Sequence, residues 1–175
     1  MTSTYTGAVA SSANNLDPRI VPFFENFYKV SDTPEAHDAY VASFLPDADF
    51  VMGTKATRGA EGIRALREGL WTGPVQRRKH TLVKIFPFGS AGEEAREVML
   101  YGSVEYGLKN GKDLTVQWAA RAVLGEYDGG LRFKFYQVYL VSVHPRGSSR
   151  SFRAGCWKGK ELLRSRCTWS MANVR

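Results

Sequence analysis

Residues 97 to 140 constrain this chain more than any other stretch. They read as three consecutive antiparallel strands: Glu97 to Leu108, Leu114 to Leu124 and Leu131 to Leu140. Two glycine turns join them, Lys109-Asn110-Gly111-Lys112 and Tyr127-Asp128-Gly129-Gly130. Asn-Gly and Asp-Gly between alternating apolar runs are strong hairpin signals, because a two-residue turn needs positive φ at both central residues. With those pairs as turn centres, Ser103 is expected opposite Trp118, Trp118 opposite Tyr139, Ala120 opposite Gln137 and Ala122 opposite Phe135. One sheet face then carries Met99, Tyr101, Ser103 and Glu105 from the first strand. It takes Trp118, Ala120 and Ala122 from the second, and Phe133, Phe135, Gln137 and Tyr139 from the third. The small residues in the middle leave room for a largely apolar pocket with a few polar groups. A slip of one residue would exchange the two faces, so the pocket list depends on the turns.

The chain has 175 residues, enough for one domain with a real core. No apolar run approaches the length of a membrane span. Residues 1 to 16 are rich in Ser, Thr and Ala and lack the basic start and apolar core of a signal peptide, so they read as a disordered lead of a cytoplasmic protein. The net charge of +7 is confined to residues 141 to 175, where eight basic residues face Glu161 alone. Residues 17 to 140 therefore carry no global basic field for a polyanion. The tail reads as solvated and disordered. Nucleic acid or anionic lipid is expected as a partner only weakly, through that tail. Cys156 and Cys167 both lie there without clustered His, which resembles neither a metal site nor a disulfide framework.

Upstream of the strands, Ile20, Phe23, Phe24 and Phe27 recur at helical spacing, with Asp17-Pro18 suited to the helix start. Ser31-Asp32-Thr33-Pro34 ends this helix and caps a second one through Phe44, whose inward face is Ala36, Tyr40 and Phe44. Asp49 to Gly53 is expected as a short strand. Glu61 to Trp71 is expected as a third helix with Ile63, Leu66 and Leu70 inward, and His80 to Phe88 as a strand. The order implies an α+β architecture: a single curved antiparallel sheet wrapped around three N-terminal helices, with a pocket between them.

This layout resembles the SnoaL-like branch of the nuclear transport factor 2-like superfamily over residues 17 to 140. The pieces that carry the likeness are Phe44-Leu45-Pro46-Asp47-Ala48-Asp49-Phe50, the Arg58-Gly59 to Ile63 entry into the third helix, Arg78-Lys79-His80-Thr81 and Phe135-Tyr136-Gln137-Val138-Tyr139-Leu140. It is most similar to small fungal members. The resemblance implies a cone-shaped fold with an internal pocket, often dimeric. Members include isomerases, cyclases, dehydratases, epoxide hydrolases and non-catalytic binders, so fold alone selects no function. Against the scytalone dehydratase pattern, His80 matches a histidine that opens the strand after helix three. Phe50 stands where that pattern has a tyrosine, and residues 81 to 143 contain no second histidine. Val141 stands where many members have an acidic residue. These departures argue against the same dehydration mechanism.

His80 is the first candidate for acid–base work, since imidazole titrates near pH 6.5. The plain alternative is an idle strand-edge histidine beside Arg77, Arg78 and Lys79. Glu105 is the second candidate, as a carboxyl walled by aromatics; the alternative is a solvated glutamate. Trp118, Tyr139 and Tyr101 would line the pocket with Ser103, or else simply pack the core. Gln137 is a lone amide in an apolar run, expected to meet a ligand or a structural partner. Tyr40 and Trp71 project from helices and would roof the pocket, or else pack the core, and Phe50 would line it from the short strand. No Gly-rich phosphate loop or metal cluster appears, so no cofactor and no metal are expected. The sequence thus points to a domain that binds a small hydrophobic molecule and, if catalytic, a cofactor-independent isomerase, cyclase or dehydratase. The rival is a non-catalytic dimeric binding or interaction domain. A homodimer is expected in either case.

Overall fold

The computed structural model describes residues 3–9, 16–88 and 96–141. The expected tail beyond residue 141, with both cysteines, lies outside the described residues. In chain order the elements are β1 (Ala8–Val9), α1 (Ile20–Asp32), α2 (His37–Val41), β2 (Phe44–Met52), β3 (Lys55–Arg58), α3 (Gly59–Thr72), β4 (Val75–Phe88), β5 (Glu97–Leu108), β6 (Asp113–Tyr127) and β7 (Gly130–Val141). The strands form one sheet in the order β1-β4-β5-β6-β7-β2-β3. Its inner face packs on α1, as the α+β reading requires.

Helix α1 buries Ile20, Phe24, Phe27, Tyr28 and Ser31, one stripe at three- and four-residue spacing. Its start is fixed by Asp17, whose carboxylate accepts the Arg19 N–H at 2.9 Å. Pro22 lies in the first turn, where a missing N–H removes no intrahelical bond, so it does not delay the helix. The core under α1 is aromatic. Phe27 meets Phe133 at 4.7 Å between ring centroids and Tyr136 at 5.4 Å.

Three local expectations change. The second helix stops at Val41 instead of reaching Phe44. Phe44 is claimed by the sheet: β2 runs parallel to β7 with Phe44 beside Phe133, and the Phe133 N–H donates to Ser43 O at 2.8 Å. The register breaks between Phe44 and Asp49, around Pro46, which has no N–H to give a ladder. Gly53, at φ 58°, is a turn residue that opens the short strand β3. Part of the lead is also ordered. Ala8 and Val9 pair in parallel with Lys84 and Ile85, and the Leu82 N–H donates to Thr4 O at 3.0 Å.

The register of the three long strands differs by one residue from the expected one, twice. At Asp128-Gly129 both residues have positive φ, 48° and 72°, and the two-residue turn forms as expected. Four residues on, Leu124 faces Phe133 but Val123 faces Phe135. Lys134 is an extra, exposed residue on β7, a bulge that turns the rest of the strand over. At the other hairpin only Gly111 has positive φ, 79°. Leu108 N–H donates to Lys112 O at 2.8 Å, so Lys109-Asn110-Gly111 is a three-residue loop. Gly102, not Ser103, therefore faces Trp118, and Trp118 faces Leu140, not Tyr139. Ala120 faces Val138, not Gln137, and Ala122 faces Tyr136, not Phe135.

The consequence is a different inner face. Trp118, Ala120, Ala122 and Phe133 are inside, as expected. Beside them stand Val98, Leu100, Gly102 and Val104 of β5 and Tyr136 and Val138 of β7. Met99, Tyr101, Ser103 and Glu105 lie on the outer face with Phe135, Gln137 and Tyr139.

Candidate functional site

The C-terminal end of α1 and the strand β4 meet at a buried carboxylate. Asp32 is the last residue of α1, one turn after Tyr28 on the same side of the helix. Arg78 and His80 are two apart on β4, so both side chains project inward. The Asp32 carboxylate accepts the His80 backbone N–H at 2.6 Å through Oδ2. Its other oxygen, Oδ1, lies 2.5 Å from His80 Nδ1. Arg78 Nε stands 3.4 Å from that same oxygen. All three side chains are buried or nearly so, at 7% exposure for Asp32 and Arg78 and 13% for His80.

An acidic residue at a helix C-terminus opposes the macrodipole, so this one must be held there by its surroundings. Two arginines do it. Arg67 of α3 is fully buried and donates to the carbonyls of Val30 at 3.1 Å, Ser31 at 3.3 Å and Thr33 at 2.6 Å. Arg78 donates to Ser31 O and, at 3.1 Å, to Ser31 Oγ. The open carbonyls that end α1 are thus closed by guanidinium groups. Arg67 also lies 4.3 Å over the Tyr40 ring, and Arg78 lies 4.7 Å over the Trp71 ring. Burial draws the Arg67 guanidinium down to about 10, still charged at neutral pH.

His80 stands at the wall of a small, partly open cleft with about 50 Å³ of internal space. The aromatic walls are Phe27, Tyr28, Tyr40, Tyr106, Trp118 and Tyr136; Arg78 and Ser31 supply polar lining. The His80 ring packs 5.0 Å from Tyr28 and 5.9 Å from Trp118. Room for Trp118 comes from Gly102, where a Cβ would lie 2.8 Å from Trp118 Cζ2 and 2.0 Å from Thr81 O. Tyr28 and Tyr136 share a hydrogen bond between hydroxyls at 3.1 Å. Burial pushes both phenols up, and pushes Tyr40 up to about 12, so all three stay neutral donors.

Burial also lowers the His80 pKa, Asp32 works against that, and Arg78 adds to the lowering. A neutral imidazole that donates Nδ1–H to Asp32 carries its lone pair on Nε2. That nitrogen is the one left for a ligand. The arrangement can accept a proton at Nε2 and stabilise the resulting imidazolium through Asp32.

The candidates therefore divide. His80, Trp118 and Tyr40 line the cleft. Phe50 is core, wholly buried and stacked 5.7 Å from Tyr136. Trp71 supports Arg78 from outside the lining. Glu105 is exposed on the outer face, paired with Lys79 across the strands, while His80 points inward. Tyr101 and Tyr139 are 39% and 42% exposed there, with Ser103 and Gln137 half-buried beside them. The two acid–base candidates, His80 and Glu105, do not share a cavity; Asp32 holds the place beside His80. Asp32, Arg78 and Arg67 carried signals of their own. Asp32 is acidic at a helix end that favours bases, and Arg67 falls in phase with Ile63 and Leu70. Among the described residues, no group of three or more His, Cys, Asp or Glu is placed to hold a metal ion. No described helix is long and apolar enough to cross a membrane.

No family model matches the chain, and no curated protein sequence matches it. Solved structures do. A Novosphingobium aromaticivorans protein named provisionally as a scytalone dehydratase is 15% identical, with a TM-score of 0.60 over 78% of this chain and 93% of that one. ActVI-ORFA of Streptomyces coelicolor is 17% identical, with a TM-score of 0.57 over 70% of this chain and 94% of that one. Nuclear transport factor 2 of Cryptosporidium parvum is also 17% identical, with a TM-score of 0.57 over 73% and 98%. At such identities the likeness concerns architecture alone: this chain has the α+β cone of the nuclear transport factor 2-like fold.

Proposed function

We propose that the cleft binds a small, flat, largely hydrophobic molecule and that His80 moves a proton on it, without a cofactor. The observation that carries this reading is the double contact of Asp32 with the backbone N–H and Nδ1 of His80 at 2.6 and 2.5 Å, in a cleft walled by aromatic rings. In the reaction class it suits, Nε2 takes a proton from carbon next to a carbonyl. The C–H electrons pass into the carbonyl to give an enolate. The proton then returns to a different carbon, as in an isomerase; to the alkoxide oxygen formed when the enolate carbon closes a ring onto a second carbonyl, as in a cyclase; or to a departing hydroxyl, as in a dehydratase. Asp32 holds the imidazolium between the two transfers, which is worth roughly 10²–10⁴ in rate for a well-placed base.

The test uses exchange. In D2O, the protein should speed deuterium uptake at the α-carbon of 2-tetralone, followed by proton NMR. Uptake should vanish in His80→Ala and persist in Glu105→Gln. Exchange no faster than in buffer, or exchange that survives His80→Ala, would remove the proton-transfer reading. Binding without exchange is the signature of the rival, a non-catalytic binding domain. The reading includes a homodimer through the outer sheet face, supported by the exposed Met99, Tyr101 and Tyr139, each between 39% and 42% accessible. Sedimentation should give a dimer that Tyr101→Glu weakens; a monomer at every concentration would remove it.

A further inference from the structure

The ionisable lining of the cleft is lopsided. Arg78 lines it, and a second buried arginine, Arg67, stands behind the lining at the C-terminal end of α1. Asp32 is within ion-pair distance of Arg78, and among the described residues no carboxylate is within that distance of Arg67. Arg67 is occupied by three backbone carbonyls at the end of α1, whose partial charge of about −0.5 offsets half of one cation. The remaining groups around Asp32, His80 and Arg78 are the phenols of Tyr5, Tyr28, Tyr40, Tyr106 and Tyr136, neutral at physiological pH. A net positive charge is left away from water.

Arg78 is where that charge meets the cleft. It is 8% exposed and lines the cavity. Its Nε is buried and makes no hydrogen bond, standing 3.4 Å from Asp32 Oδ1 in poor alignment. The plane of its guanidinium is fixed by Trp71 behind it. An excess buried cation is costly until an anion approaches it. Guanidinium suits the oxygens of such an anion well, because its donors lie in one rigid plane.

We infer that the cleft selects flat conjugated ligands that present an anionic oxygen (phenolate, enolate or carboxylate) to the guanidinium of Arg78. The inference rests on the reading of the cleft as a ligand site and adds the charge of the ligand. For the proposed proton transfer it also places a cation where an enolate would form, so that the charge developing on oxygen is stabilised within the same site.

Three probes of nearly equal shape test it on the full chain: 4-nitrobenzoate, 4-nitrophenol and 4-nitrotoluene, each titrated by quenching of tryptophan fluorescence. The two that present an anion should bind roughly tenfold or more tighter than 4-nitrotoluene, the scale of one charge-assisted hydrogen bond. Tighter binding of the benzoate alone would assign a carboxylate, and of the phenol alone a phenolate or enolate. Arg78→Met should erase the preference, and Arg78→Lys should restore part of it. Because Arg78 also holds Ser31, a second readout stands on the wild-type protein. The absorbance of bound 4-nitrophenol should show its apparent pKa lowered by about one unit, a tenfold shift toward phenolate. Equal binding of all three probes overturns the inference and leaves the ligand site standing, as does a 4-nitrophenol that binds tighter than 4-nitrotoluene with its pKa unchanged or raised. Binding of none of the three overturns both.

Discussion

Both ends of α1 hold a buried carboxylate among arginines, and the two ends are built for different ends. At the start, Asp17 is saturated. Arg19 gives it a backbone N–H at 2.9 Å and three side-chain hydrogen bonds, and Arg96 stands 3.8 Å away. Those arginines reach on to Glu126 and remain 45% and 36% exposed. At the finish, Asp32 is joined to a histidine that has a second nitrogen to offer and that lines a cleft. A buried acid alone is therefore weak evidence for a site. The difference is whether the network closes on itself in solvent or leaves one reactive atom in a cavity.

The largest effect that separates the two ends should be on stability. Asp32→Ala leaves Arg78 buried without its partner and should cost about 3–5 kcal/mol in urea unfolding. Next comes the wall of the open end: Gly102→Ala drives a Cβ against Thr81 O and Trp118. A loss of roughly 1–3 kcal/mol is expected, with weaker ligand binding as Trp118 moves. At the closed end, Asp17→Ala should cost only about 1–2 kcal/mol, the worth of a helix-start hydrogen bond, since Arg19 and Arg96 can turn to water. Equal losses for Asp17→Ala and Asp32→Ala would erase the distinction.

The two ends should also part in their pH response. His80 has a folded pKa below 6.5, chiefly from burial, so the unfolded chain binds more protons just below that value. Its contribution is full above pH 6.5 and is lost as pH falls through the lower folded value. Asp17 has a folded pKa below 3.8, chiefly from its hydrogen bond with Arg19. Its contribution is present above 3.8 and lost only in stronger acid. A melting-temperature series should show a first decline beginning near pH 6.5 that His80→Phe removes and Asp17→Asn does not. The smallest effect belongs to Glu105→Gln, exposed on the outer face, which should change stability by no more than about 0.5 kcal/mol.

The order of the three helices and the four long strands, the aromatic stripe of α1 and the inward set Trp118, Ala120 and Ala122 were legible in the residues, while β1 and β3 were not. The partners of that set were not, for two separate reasons. Asn110-Gly111 looks like a two-residue turn, yet only Gly111 takes positive φ, and one extra loop residue turned over β5. Asp128-Gly129 formed the expected turn, but the bulge at Lys134 turned over β7 beyond it. Phe133 kept its expected face because it precedes that bulge. Glu105, Tyr101, Gln137 and Tyr139 all left the pocket through these two slips. Asp32 was hidden by its own neighbours, since Ser-Asp-Thr-Pro reads as helix punctuation. Its pairing with His80 joins residues 48 apart in sequence and depends on where α1 crosses β4.

The central claim is that Asp32 fixes His80 with its lone pair on Nε2, facing the cleft. Nitrogen-15 NMR of the His80 ring against pH measures this directly. The account predicts a neutral ring protonated on Nδ1, a titration midpoint below 6.5, and a midpoint lower still in Asp32→Asn, where the raising influence of the carboxylate is gone. A ring protonated mainly on Nε2, or a midpoint at 6.5 or above that Asp32→Asn does not move, would contradict it.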